Sequence, residues 1–154
     1  MACPGAVALT FVVCMIAGFT PLVNAELYLL VVAVGLPGAC VPAVVLAAAL
    51  GQMSAKMVWY AAGTGLVTFS SGRLHDYVER ARRFAEAHER LATPTVALSS
   101  VTGIPPFFVV SIASGAVAFG TIRFLCIGLA GRIIRFTVVL AAPHLVHQLL
   151  QGVG

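Results

Sequence analysis

Residues 6–36 read AVALTFVVCMIAGFTPLVNAELYLLVVAVGL, an apolar run with a single charge, Glu26. A membrane helix needs about 20 residues at 1.5 Å each to cross roughly 30 Å of hydrocarbon, so this run is too long for one straight span. It is interrupted at Gly18-Phe19-Thr20-Pro21. Glycine suits the end of one helix, and threonine followed by proline suits the N-cap and first position of the next. Each half is then about 14 residues, roughly 21 Å and too short to cross. The spacing predicts a re-entrant helical hairpin over residues 1–36, broken at Gly18 and Pro21, with its tip near Thr20. A signal peptide is the competing reading, because Val23-Asn24-Ala25 resembles a cleavage site. The missing Lys or Arg ahead of the apolar run favours a retained segment.

Working outward, residues 40–69 form an apolar stretch long enough to span with tilt. Ala47, Gly51 and Ala55 recur there every four residues, a ladder that lets helices approach closely. Residues 73–92 differ in kind. Asp76–Arg80, Glu79–Arg83 and Glu86–Arg90 are acid-before-base pairs at i,i+4, and Tyr77, Ala81, Phe84, Ala85, His88 and Leu91 share one face. This pattern predicts an amphipathic helix on the membrane surface. The run at 93–119 is broken at Gly103-Ile104-Pro105-Pro106, and 121–147 is again long enough to span.

These segments repeat. Gly18 and Pro21 are spaced like Gly103 and Pro106, and Gly51-Gln52 matches Gly131-Arg132 after a short insertion. Two copies of a hairpin plus a spanning helix follow. A hairpin returns to its own side and a spanning helix changes sides, so the second copy starts inverted, an arrangement found in transporters. The expected fold is all-α and integral to the membrane. It is a single domain of 154 residues with two re-entrant hairpins, two spanning helices and an amphipathic helix between them. The basic segment at 73–90 should be cytoplasmic, with both termini on the opposite side.

Composition agrees with a membrane location. Hydrophobic residues make up 60% and charged residues 9%, against about 25% charged in a soluble domain, too few to cover a soluble surface. The net charge of +4 does not point to nucleic acid, because five arginines and four acids nearly balance within 73–90. Cys3, Cys14, Cys40 and Cys126 show no metal spacing and read as packing residues. His144 and His147 lack a nearby acid or cysteine, and the serines lack a triad partner, so neither a metal, a cofactor nor enzymatic chemistry is implied.

The remaining charges are Glu26, Lys56, Arg123, Arg132 and Arg135. Arg123 begins its helix and reads as an interfacial anchor. The others fall near mid-membrane, where each cation costs about 2.5–3.5 kcal/mol. One carboxylate cannot neutralise three cations, so an anion should complete the site, and the arginine fork suits phosphate oxygens. The expected binding residues are Glu26, Lys56, Arg132 and Arg135. The alternative is that Glu26 pairs with one arginine and the other cations snorkel to the interface.

Asn24-Ala25-Glu26, Gly51-Gln52-Met53, Tyr60, Ile104-Pro105-Pro106, Ser114-Gly115, Phe124 and Gly131-Arg132-Ile133-Ile134-Arg135-Phe136 carry a resemblance over residues 19–142. In these motifs the chain resembles the DedA/VTT family (SNARE-associated Golgi proteins), most of all its short bacterial members. The resemblance implies two opposed re-entrant hairpins joined by spanning helices, in the bacterial cytoplasmic membrane. It also implies lipid movement or scrambling, with polyprenyl phosphates and phospholipids as cargo, and a proton link in bacterial members. The family's hairpin acid falls on Glu26, and its Gly-Arg-x-x-Arg pattern on Arg132 and Arg135. The family's arginine beside the second hairpin proline has no counterpart here. The functional expectation is a lipid translocase or scramblase for an anionic headgroup, whose partners are phosphate lipids and a second copy of the chain. A scaffold or assembly factor with structural charges is the alternative.

Overall fold

The computed structural model describes residues 3–20, 24–65, 76, 80, 83 and 91–152, with side chains as far as residue 142. Its described residues are all-α, with six α-helices and no strand. These are α1 (Cys3–Phe19), α2 (Ala25–Gly35), α3 (Val41–Gly63), α4 (Ala92–Thr102), α5 (Phe107–Ala116) and α6 (Thr121–Gly152), with a 3₁₀ turn at Gly38–Cys40 leading into α3. Two stretches, Gly38–Gly63 and Thr121–Ala142, are long and apolar enough to cross a membrane.

Helices α1 and α2 pack against each other, as do α4 and α5. At 11 and 10 residues, α4 and α5 are each only about 15 Å long. The first hairpin divides less evenly than its sequence predicts. Gly18 lies inside the last turn of α1, and α2 begins at Ala25 instead of beside Pro21, which lies outside the described residues. The reason is Asn24. Its side-chain oxygen accepts from the amides of Glu26 (2.9 Å) and Leu27 (3.3 Å), capping two of the amides that a helix start leaves without partners.

The second break falls where its glycine and prolines place it. Gly103 adopts φ 80° and donates its amide to Ser99 O, a left-handed cap that ends α4. A cis Ile104–Pro105 bond follows, and Pro106 is the N-cap of α5. Helix α5 stops at Ala116, short of residue 119, and α6 continues to Gly152, beyond residue 147. Of the amphipathic segment 73–92, Asp76, Arg80 and Arg83 are helical and exposed. Most of the rest, Phe84 included, lies outside the described residues, as do the His144 and His147 side chains.

The chain forms two compact units, Met1–Gln52 with Ile133–Gly154, and Met53–Arg132. In the first, Thr10 Oγ1 and Tyr28 OH share a 3.1 Å hydrogen bond between α1 and α2. A Cβ on Gly51 would overlap Phe11 O, so α3 meets the α1 backbone directly. This is the packing that the Ala47/Gly51/Ala55 ladder predicts. In the second unit, Met53, Tyr60, Val96, Phe107, Val110 and Phe124 form one buried cluster. Gly63 and Gly115 bring α3 against α5. A Cβ on Gly115 would overlap Tyr60 O and stand 3.1 Å from Gly63 Cα.

One departure concerns the cysteines. Cys3 and Cys40 form a disulfide, with Cα atoms 5.8 Å apart. The hairpin brings the start of α1 beside the start of α3, a proximity that spacing along the chain does not reveal. Cys14 is buried and Cys126 exposed, both as thiols.

Candidate functional site

Charge is the scarce element in these helices, so the site is built from it. The Asn24 cap sets Glu26 in the first turn of α2. There the carboxylate meets Arg135 of α6. Arg135 Nε donates to Glu26 Oε1 at 2.6 Å, and its Nη2 converges on the same oxygen. Both side chains are partly buried, Arg135 more deeply. This is a charge-assisted contact between opposite charges, the strong class of hydrogen bond.

Lys56 and Arg132 belong to the other unit. They are 7% and 6% exposed, the two most enclosed charges among the described residues. The Arg132 charge acts on Lys56 and opposes its own. The guanidinium of Arg132 lies over the Phe107 ring, 4.7 Å from its centroid. Such a contact contributes up to about 2 kcal/mol when desolvated.

The platform under Arg132 comes from the second hairpin. Phe107 opens α5 directly after the break. Its ring stacks on Phe124 at 5.8 Å and 8°, and Phe124 meets Tyr60 at 5.0 Å. Ser99 Oγ donates to Pro105 O at 2.5 Å, fixing the break just ahead of Phe107. Helix α6 approaches through its glycines. A Cβ on Gly131 would overlap Ser100 Oγ, and one on Gly128 would stand 2.8 Å from Met53 Cε. Glycine at 131 therefore lets the turn bearing Arg132 seat against α4.

The four expected binding residues thus fall into two pairs. Glu26 is joined to Arg135, while Lys56 and Arg132 are both enclosed and within electrostatic reach of one another. Arg132 and Arg135, three apart on α6, lie toward the same side of that helix, yet their described contacts differ: Phe107 for Arg132 and Glu26 for Arg135. Arg123 is exposed in the first turn of α6, 5.8 Å from the Phe119 ring centroid. Ser111 and Ser114 bond back to carbonyls of their own helix, Phe107 O and Val110 O, and act in packing. The aromatic support of Arg132 is absent from the sequence reading, and the separation of Phe107 from Arg132 offers no local signal for it. Gln52 Oε1 is a second such feature, buried and with no hydrogen-bond partner among the described residues.

Searches against protein-family models, curated proteins and solved structures find no match to this chain. What can be said of function therefore rests on the two charge pairs. An acid joined to a base is neutral and self-contained. Two enclosed bases within electrostatic reach of one another attract negative charge.

Proposed function

We propose that this chain is a small multi-pass membrane protein that moves or scrambles lipids with a phosphate headgroup, and that Lys56 and Arg132 receive the headgroup oxygens. One observation carries the reading. The described apolar helices contain four basic residues and one acid, and that acid is engaged by Arg135, while Lys56 and Arg132 are enclosed together. Placing two cations in a low-dielectric interior costs several kcal/mol, a cost that a phosphate offsets as it enters. In this reading the hairpins α1–α2 and α4–α5 are re-entrant, and the two long helices cross the bilayer. The repeat is inverted, residues 73–90 are cytoplasmic, and the protein resides in a bacterial cytoplasmic membrane. The resemblance of the short sequence motifs to the DedA/VTT family suggests the same class of function.

The test is a lipid-quenching assay in liposomes. Labelled anionic phospholipid, zwitterionic phospholipid and polyprenyl phosphate are compared in empty vesicles, with wild type, and with Lys56→Met/Arg132→Met. Wild type should accelerate transbilayer movement of the anionic lipids at least tenfold over empty vesicles, and the double variant should lose that gain. Equal rates in all three preparations would sink the translocase reading and leave a scaffold.

A further inference from the structure

The one covalent cross-link in the described residues ties the start of α1 to the head of α3. Cys3 is the first residue of α1, and Cys40 ends the 3₁₀ turn ahead of α3. Around this end the glycines have open space, with nothing within 4 Å of a Cβ on Gly5, Gly35 or Gly38. Val34, at the close of α2, is 84% exposed. Further along the same unit the packing is tight. Gly51 abuts the α1 backbone at Phe11 and Met15, and Thr10 holds Tyr28. The hairpin is thus closed at mid-length by packing, and at this end the disulfide adds a covalent tie to the burial of Ala6, Ala33 and Val44.

The position of the cross-link also speaks to sidedness. The 26-residue stretch Gly38–Gly63 starts beside Cys40 and leads away toward the arginine-rich segment. Basic residues mark the cytoplasmic end of a spanning helix, and disulfides persist in oxidising compartments on the other side. The two criteria are independent and orient α3 the same way.

From this we infer that Cys3–Cys40 is a redox latch on the non-cytoplasmic face, which clasps the first hairpin to the head of α3 and opens when it is reduced. A dithiol of that compartment supplies the two electrons. One of its thiolates attacks a latch sulfur to give a mixed disulfide, and its second thiol displaces the protein sulfur. The products are Cys3 and Cys40 as thiols and an oxidised dithiol. Closure is the reverse exchange with a disulfide-bearing oxidant. Cys40 is buried and Cys3 is half-buried, so attack is directed to the Cys3 sulfur. The latch rests on the membrane reading above but not on the lipid chemistry.

Differential alkylation of the full chain in intact spheroplasts tests it, with alkaline-washed membranes analysed by peptide mass spectrometry. Cys3 and Cys40 should resist a membrane-impermeant maleimide until an impermeant phosphine is added from outside, and then label together. In reduced, detergent-solubilised protein, amide hydrogen exchange in α1 and α2 should quicken at least fivefold, while α5 stays unchanged. Wild type is its own control, so the outcome does not depend on a variant folding. Labelling of either cysteine before reduction, protection until the cells are lysed, or unchanged exchange after complete reduction would each overturn the latch. Release of the protein by the alkaline wash would instead overturn the membrane reading.

Discussion

Each compact unit combines one helical hairpin with part of each long helix, yet the unit Met1–Gln52 with Ile133–Gly154 joins an acid to a base, whereas Met53–Arg132 encloses two bases within electrostatic reach of one another. The same architecture thus carries charge in two ways. An opposed pair is held by its own attraction, and removing one partner strands the other. Adjacent like charges repel, so removing one relieves the protein and cancels whatever the pair attracts. The sign of the stability change on single substitution therefore distinguishes a structural charge from a ligand-binding one.

The largest effect is expected at the frame beneath the like-charged pair. Gly115→Ala would drive a methyl into the Tyr60 carbonyl, and separating α3 from α5 should cost about 3 kcal/mol or more. Thermal unfolding in detergent should show a sharply lowered midpoint. A wild-type midpoint would mean that this crossing is looser than described.

Next comes the opposed pair. Glu26→Gln should destabilise the protein by about 2.5–3.5 kcal/mol, the cost of an arginine left at a helix centre. Glu26→Gln/Arg135→Gln should recover most of that loss. A double variant no more stable than the single one would show that Arg135 is held by something besides Glu26.

Lys56→Met should move stability the other way, raising it by about 1–3 kcal/mol while removing anionic lipid movement. Unfolding and the liposome assay on the same sample provide the check. Destabilisation would place Lys56 with Glu26, as a structural charge.

The smallest expected effects concern the two hairpin breaks. Asn24→Ala removes a side-chain cap and should cost about 1 kcal/mol. Gly103→Ala forces an alanine into left-handed backbone and should cost about the same. A negligible loss at Asn24 would show that the first break is held by α1–α2 packing alone.

These contrasts also show what the sequence makes legible. The second break is local punctuation: glycine closes α4 and proline opens α5, so residues 103–106 can be read directly. The first break is harder, because Thr20-Pro21 offers one plausible helix start and Asn24 offers another. Glu26 in the following turn is the clue that favours Asn24, since an acid near a helix N-terminus is stabilising. The presence of enclosed charges in apolar helices is plain from composition, but their partners are not. Arg132 and Arg135 share a motif and, three residues apart, the same side of α6, so only packing decides which meets Glu26. The Cys3–Cys40 bond is hidden for a similar reason. It joins residues 37 apart, through a hairpin whose halves must first be placed.

The chain contains one tryptophan, Trp59. It lies in the unit Met53–Arg132, 9% exposed, packed with Ile112 and 6.0 Å from the Phe108 ring. Indole emission therefore reports on the half of the molecule that carries Lys56 and Arg132 and is nearly blind to the half that carries Glu26 and the disulfide. An unfolding curve read from fluorescence alone would look cooperative even if the first hairpin had already loosened. Coincidence of that curve with far-ultraviolet dichroism, which sees every helix, would show whether the two halves melt together.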